Sequence, residues 1–469
     1  MSRIKIVSTV MKILILGLGQ YPKGSGVSSA VWFAKQGDQV RVTDVRKENE
    51  LGQNVAQLRK WKNIEFVLGR HRKSDIRWAD VVVRNPGVRQ NSPLLMFARE
   101  LGKPIESDIS LCMKRCPCPV IGITGTRGKS TTSALTAEML KNSGKTTWLG
   151  GNIKVSPLTF LEKVKSKDVV VLELSSWLVE SIGEQGLSPH IACITNIMRD
   201  HLNTYENMEA YVESKSQIFR HQTPQDVLVL NVEDLYTKRF TAEVPSNVQL
   251  ASFTKKRNSY VEKDVLTLHG KSVCKIGDVK LQGEHNLKNA LLAVLIASSA
   301  GATISGMRKA IKSFAGLPDR LELVCEQKGV QYVNDTTATT PDATIEALKT
   351  ISKKCGKIHL LFGGADKELE FDGIATWMKS FTRTAKNKKY ANTICISVFD
   401  GTAFPKIEHA FQKNKLPFQL VTSMNEAISY HEEHAKKGDV ILLSPGCASF
   451  GMFQNEFDRG KQFKKRARR

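Results

Sequence analysis

No run of ~20 apolar residues, the length that spans a bilayer, occurs anywhere in this 469-residue chain, so a transmembrane helix and a membrane partner are not expected. The opening stretch, MSRIKIVSTV, is too short and too polar for a secretory leader, and Met11 is an alternative start. The expected location is the cytoplasm. A disulfide framework is lacking too. The nine cysteines are odd in number and scattered, which suits reduced thiols. Cys112, Cys116 and Cys118 cluster, but Pro117 and Pro119 interrupt them and no partner set with zinc spacing follows, so they do not read as a metal site. There are no internal repeats and no low-complexity linker. The basic tail, 461–469, lacks the interleaved aromatics that stack bases. The net charge of +23 is otherwise spread along the chain, as on a lysine-rich surface that attracts anionic small molecules, and no nucleic-acid partner is expected. With 41% hydrophobic and 25% charged residues the chain is globular, and its length predicts three domains.

The most informative stretch is Gly-Ile-Thr-Gly-Thr-Arg-Gly-Lys-Ser-Thr, 122–131. The apolar Pro119-Val120-Ile121 leads into a glycine-rich turn, and a helical pattern follows over 131–142. Such a strand, loop and helix cradle phosphate: backbone N–H groups and a helix N-terminus face the anion, a lysine bridges phosphates and a hydroxyl holds Mg²⁺. Gly122 lies one residue too early for the usual spacing to Gly128, and Gly125 sits inside the loop. A purely structural turn at a helix start is the competing reading.

Strands alternate with helices throughout, which predicts α/β domains with mostly parallel sheets. The expected domains are 1–115, 116–317 and 318–469, the last carrying the basic tail. The first begins with a strand at 13–16, the turn Gly17-Leu18-Gly19, a helix over 26–36 and a strand at 40–44 that ends in Asp44. That is a Rossmann-like start, although the residues at 20–23 expand the loop and break the dinucleotide spacing. The second holds the phosphate loop, strands at 169–172 and 191–194 and a helix over 286–300. The third has strands at 330–333, 359–362, 393–397 and 440–443.

Glu173 follows an apolar strand and stands where a carboxylate reaches Mg²⁺ beside a phosphate loop. Asn196, Asp200 and His201 crowd another strand end, where ligands gather in open α/β sheets. Lys215 by itself reads as an ordinary helix-surface lysine.

The order GTRGKST, ELSS, TNIMRDHL, YVESK, GEHNLKNA, LPDR, NDTTATTP, GGADK and SPGCASF resembles the Mur ligases of peptidoglycan synthesis, over residues 11–460. The resemblance implies a Rossmann-like N-terminal domain, a central P-loop-type ATPase and a Rossmann-like C-terminal domain. It implies a monomer that uses ATP to add D-glutamate to UDP-N-acetylmuramoyl-L-alanine through an acyl phosphate. It implies that Gly125, Thr126, Arg127, Gly128, Lys129, Ser130 and Thr131 hold the phosphates. Asn286 and Asn289 would be adenine-side contacts, and Arg320 and Asp335 would reach ATP on domain closure. Ser130, Glu173, His201 and Lys215, the last as a carbamate, would hold two Mg²⁺ ions, with Lys129, Glu173, His201 and Lys215 as the catalytic set. Gly19, Asp44, Arg46, Asn152 and Ser175 would bind the UDP-sugar. Thr339, Lys367, Ser449 and Phe450 would bind the amino acid.

Some positions depart from the family pattern. Arg127 replaces a commoner asparagine. Thr337 stands where a lysine usually faces the amino acid, which leaves a different amino acid as one alternative. A nucleotide-sugar-binding regulator without catalysis, and a nucleic-acid-binding ATPase suggested by charge alone, are the others.

Overall fold

Each cluster of apolar strands in the sequence becomes its own sheet, and the chain forms three α/β domains. A computed structural model describes residues 10–200, 204–281, 283–352, 355–384 and 394–469, with the side chains of 382–384 excepted. By packing, these residues fall into two compact units. One runs through to Val279 and includes Leu287–Phe314; the other comprises Lys280–Asn286 and Ala315–Arg469. Among the described residues no helix is long and apolar enough to cross a membrane.

The first unit holds two sheets. The N-terminal one contains β1 (Lys12–Leu16), β2 (Gln39–Asp44), β3 (Ile64–Leu68), β4 (Val81–Arg84) and β5 (Ile105–Glu106), in the order β3-β2-β1-β4-β5. All neighbours are parallel. Ile13, Ile15, Val40 and Val42 pack into one core with the helix Ser25–Lys35. Register pairs Leu16 with both Thr43 and Arg84, so the turn after β1, the end of β2 and the end of β4 share one edge. The strand order reverses between β1 and β4, the crevice where such sheets take ligands.

The central sheet contains β6 (Val120–Thr124), β7 (Thr147–Gly151), β8 (Val169–Glu173), β9 (Ile191–Ile194), β10 (Val227–Asn231), β11 (Asn247–Ser252), β12 (Ser259–Glu262), β13 (Val265–Leu268) and β14 (Lys271–Lys275). Its order is β14-β13-β12-β11-β10-β9-β6-β8-β7. β6, β8 and β9 are buried along their whole length, as expected for parallel strands covered on both faces. The β12–β14 end is antiparallel, an extension the sequence pattern did not announce. Within this unit Arg84 Nη2 donates to the Trp177 carbonyl (2.8 Å), and Ser156 N donates to the Lys23 carbonyl (2.8 Å).

The second unit carries β15 (Glu322–Gln327), β16 (Val330–Asn334), β17 (Ile358–Gly363), β18 (Ile394–Phe399), β19 (Gln419–Val421) and β20 (Val440–Leu443), ordered β15-β16-β20-β17-β18-β19. Only β15 runs antiparallel, through a turn at Lys328 and Gly329. Leu360, Phe362, Val398 and Leu442 fill the core on one side of the sheet. Register aligns Leu443 with both Asn334 and Leu361 and so gathers three strand ends at one edge.

Candidate active site

The loop after β6 is shaped by its glycines. Gly125 has φ +138° and Gly128 φ +81°, backbone states that side chains disfavour. A Cβ on Gly125 would stand 2.0 Å from Thr195 Oγ1, and one on Gly128 would stand 2.2 Å from Asn289 Oδ1. The strand end after β9 braces the loop. Thr126 N donates to the Asn196 carbonyl (2.8 Å) and Arg127 N to Asn196 Oδ1 (2.9 Å). Thr195 Oγ1 and Asn196 Nδ2 both donate to the Arg127 carbonyl. Gly128 then caps the helix Lys129–Asn142, so Lys129, Ser130 and Thr131 form its first turn. Lys129 Nζ donates to the carbonyls of Gly125 (2.9 Å) and Thr126 (3.0 Å), which holds a cation over the loop. Loop glycines, a helix N-terminus and a cation together make an anion site.

Glu173 closes β8 beside this loop, in register with Ile123. It is 2% exposed. Oε1 accepts from Asn152 Nδ2 (3.0 Å), while Oε2 is buried with no hydrogen-bond partner. A buried carboxylate oxygen so placed is open to an external partner, and a cation is one it can take. Lys215 is on the helix Met208–Ser216, 1% exposed, with Nζ 4.7 Å from the Tyr211 ring centre. Burial first, and then the charge of Lys129, push its amine well below the usual lysine range against the pull of Asp200 and Glu180. The surface position read from the sequence is therefore wrong: this lysine is buried, and its surroundings disfavour the protonated form. Tyr211 also meets Thr126 Oγ1 (3.1 Å) and so ties the Lys215 helix to the phosphate loop. Arg127 Nη2 lies 3.8 Å from Asp200 Oδ2. His201 lies outside the described residues. Asn289 meets the loop at Gly128; Asn286 precedes it by three residues on the helix Glu284–Ser299.

A second group sits at the edge of the N-terminal sheet. Asp44 Oδ2 accepts from Leu18 N (2.9 Å) and Gly19 N (3.3 Å), and both its oxygens engage the Arg46 guanidinium. Burial raises this carboxyl, but the Arg46 hydrogen bonds and charge outweigh burial and hold it below the ordinary range. Asp44 thus fixes the turn and aims Arg46. Sequence reasoning missed three neighbours. Asn54 donates to the Gly19 carbonyl (2.7 Å), and Asn85 lies against Gly17 and Gly19 so closely that a Cβ on Gly17 would stand 2.9 Å from its Cβ. Arg84 is buried, with Nε and Nη1 lacking hydrogen-bond partners. The Asn-Pro-Gly that follows Arg84 is the turn signal that marks this strand end. Ser175 caps the helix Ser176–Gly183 by accepting from Leu178 N (3.4 Å).

In the second unit, Asp335 is fixed by Leu321 N (3.2 Å) and Ser444 Oγ (2.9 Å). Arg320 lies two residues before β15. Thr339 is in the loop after β16, Lys367 in the loop after β17, and Ser449 and Phe450 in the loop after β20. These loops interlock. Ala365 and Ala448 exchange backbone hydrogen bonds, and Gly446 N donates to the Ala338 carbonyl (2.8 Å). Lys367 is exposed, Phe450 is 63% exposed, and Ser449 Oγ is buried without a partner. Thr337 Oγ1 donates to the Asp319 carbonyl (2.9 Å). The residue that joins the loops was not foreseen. Arg459, fully buried, donates to Thr336 Oγ1, the Thr336 carbonyl, the Cys447 carbonyl and the Ala448 carbonyl.

Three family models match the chain in order: the Mur ligase MurD-like N-terminal domain over residues 11–107, the Mur ligase middle domain over 123–297 and the Mur ligase glutamate ligase domain over 319–447. The chain is 39% identical over 471 residues to the UDP-N-acetylmuramoylalanine–D-glutamate ligase of Roseiflexus sp. (strain RS-1), covering 97% of each. It is 35% identical over 461 residues to the ligase of the same name from Clostridium tetani, covering 97% of this chain and 95% of that one. Among solved structures, the UDP-N-acetylmuramate-alanine ligase MurC of Thermotoga maritima superposes with a TM-score of 0.62 at 22% identity, covering 98% of this chain and 99% of that one. The MurF ligase of the same organism, in complex with ADP, gives 0.61 at 16% identity and covers 98% of each. At such identities the two structures speak for the fold alone.

Proposed function

This chain belongs to the Mur ligase family, and we propose from that premise how its own residues join D-glutamate to UDP-N-acetylmuramoyl-L-alanine at the expense of ATP. The activity is an amide ligation of peptidoglycan synthesis, the one named for its full-length relatives. One observation carries the reading. A phosphate loop, a buried carboxylate oxygen without a partner and a buried lysine whose surroundings disfavour its charged form lie together in the first unit.

The terminal carboxylate of the alanyl substrate is a poor electrophile. Transfer of the ATP γ-phosphoryl group to it gives an acyl phosphate and ADP. The amine of D-glutamate then attacks the acyl carbon, phosphate leaves, and an amide remains. Little covalent work falls to the protein; it positions the reactants and meets phosphate charge. Gly125 to Thr131 supply the cradle, and Lys129 brings a cation that its two carbonyl contacts keep at the loop. Asn289 and Asn286 take the nucleotide side, with Arg320 and Asp335 as further ATP contacts.

Mg²⁺, on which the family depends, supplies charge neutralisation to the transferring phosphoryl group. The residues present fit it: the bare Oε2 of Glu173 is a ligand that can take a cation. Ser130, Glu173, His201 and Lys215 would hold two ions. Lys215 takes part as a carbamate. Its buried amine, whose surroundings disfavour protonation, adds CO₂ in the unprotonated form, forming an N–C bond and releasing one proton; the anion so formed is attracted to Lys129. Asn152 keeps Glu173 in place. Gly19, Asp44, Arg46, Asn152 and Ser175 line the UDP-sugar path, with the Arg46 guanidinium oriented by Asp44. Thr339, Lys367, Ser449 and Phe450 hold D-glutamate, with Lys367 against a carboxylate. Nucleotide substrates support a cytoplasmic location, and the reading takes the enzyme as a monomer.

The test is substrate dependence. ADP and phosphate should form only when ATP, UDP-N-acetylmuramoyl-L-alanine and D-glutamate are all present, with product mass raised by one glutamyl residue. Equal ATP turnover without either acceptor overturns the reading.

A further inference from the structure

The second unit contains a cluster that the ligase reaction does not use. His359 near the start of β17, Cys395 on β18 and His431 on the helix Met424–His434 meet at the edge of the sheet opposite the strand-end loops. His359 and Cys395 are register partners on neighbouring strands. One ring nitrogen of each histidine and the cysteine Sγ all lie within 4.8 Å of one another. The rings stand edge to face, with centres 5.4 Å apart.

The hydrogen bonds around the rings are one-sided. Nε2 of His359 lies 3.3 Å from Asp439 Oδ2, and Nε2 of His431 lies 2.9 Å from Ser397 Oγ. Nδ1 of each ring is buried and makes no hydrogen bond of good geometry, although the Leu360 backbone lies close to the His431 ring. Neither histidine has any exposed surface, while Cys395 is half-buried and within reach of solvent. Burial first, then the neighbouring His359, push His431 down to about 3. Burial also pushes His359 below its usual value, against the pull of Asp439. Two buried imidazoles, each with a ring nitrogen left over, and a thiol held only by a long contact to the Tyr430 hydroxyl (3.8 Å) form a group that an external partner can complete.

We propose that His359, Cys395 and His431 form a Zn²⁺ site in the C-terminal domain, with solvent as the fourth ligand. Two imidazoles and a thiolate are a donor set that zinc takes in tetrahedral geometry. The Nδ1 atoms are the donors available without breaking a hydrogen bond. Asp439 behind His359, and Ser397 behind His431, fix the ring orientations as outer partners of metal-bound histidines do. Binding breaks the Cys395 S–H bond, forms an S–Zn bond and passes the proton to solvent. The ion would tie β17, β18 and the helix Met424–His434 together, a structural role independent of the Glu173 site.

Full-length protein, reduced and stripped with chelator, is titrated with Co²⁺ as a spectroscopic stand-in, with excess Mg²⁺ present to occupy carboxylate sites. The expected result is one Co²⁺ per chain with sulfur-to-cobalt charge-transfer absorption, displaced by Zn²⁺. The band should vanish in Cys395→Ser and persist in Cys116→Ser, whose Sγ lies 3.5 Å from that of Cys118 in a separate thiol group. His431→Gln should weaken Co²⁺ binding by about 100-fold. A band of equal strength in Cys395→Ser, or no band in the parent protein, overturns the proposal. Should Cys395→Ser fail to fold, alkylation of the parent chain decides by mass mapping: Zn²⁺ must protect Cys395, and equal labelling with and without Zn²⁺ overturns the site.

Discussion

Replacing Arg459 by methionine should loosen the amino-acid end of the enzyme without touching substrate. The guanidinium serves the hydroxyl and carbonyl of Thr336 and the carbonyls of Cys447 and Ala448. Those atoms belong to the loop that carries Thr339 and to the loop that carries Ser449. Burial lowers the guanidinium from 12.5 to about 10, so it stays charged at neutral pH. Keeping that charge buried costs about 3 kcal/mol at 1.36 kcal/mol per unit. Methionine returns this cost but leaves four acceptors without their shared donor, at roughly 1.5 kcal/mol each. The balance is a loss of about 3 kcal/mol. With a urea slope of about 2 kcal/mol per molar, the C-terminal unfolding midpoint should fall by about 1.5 M. The KM for D-glutamate should rise about tenfold and that for ATP by less, since of the proposed ATP contacts only Asp335 adjoins Thr336 while the phosphate cradle lies in the other unit. Arg459→Lys, which keeps the charge and loses the fork, should fall between the two. A methionine variant with the parent midpoint and the parent KM for D-glutamate refutes the tether.

Lys215→Ala should lose at least about 100-fold in kcat, and a short carboxylic acid should restore part of it by supplying the missing anion; an alanine variant of full activity removes the carbamate. Lys367→Ala should raise the KM for D-glutamate about tenfold and leave that for ATP near its parent value, which initial-rate kinetics will separate. Equal effects on both would contradict its place in the amino-acid pocket. Asp44 has a folded pKa below its ordinary 3.8, so its contribution to stability is complete above that value and is lost as pH falls through the folded one. The stability gap between the parent and Asp44→Asn, followed by urea unfolding from pH 5 downward, should therefore narrow; a gap independent of pH would mean that the carboxylate charge does not hold the turn.

The features that sequence reasoning recovered are local in origin. Val120 to Lys129 spell a strand, a glycine turn and a helix start within ten residues, and Gly125 and Gly128 adopt the backbone states only glycine takes easily. Glu173 was legible because an apolar run leads into it and the strand ends there. The antiparallel end of the central sheet was not. Its hairpins turn at Lys263-Asp264 and His269-Gly270, where Lys263, Asp264 and His269 take positive φ without the Asn-Gly or Asp-Gly signal. The hairpin at Lys328-Gly329 has the same character.

Lys215, reached from the sequence only through the family resemblance, shows what local pattern does not carry. Nothing within a few residues distinguishes it from a lysine on a helix surface. Its charged form is disfavoured by burial and by Lys129, far back in the chain. Each of these influences is a through-space term whose source lies in another element. The same holds for Arg459, which ties a loop more than a hundred residues earlier to the one just before its own helix, and for His359 and His431, whose unpartnered nitrogens exist only because a helix packs on a sheet. Local pattern therefore finds the residues that shape backbone, because glycines and strand ends act where they stand. It misses the residues whose chemistry is set by desolvation, because desolvation is a property of the packed domain and has no value until the domain has formed.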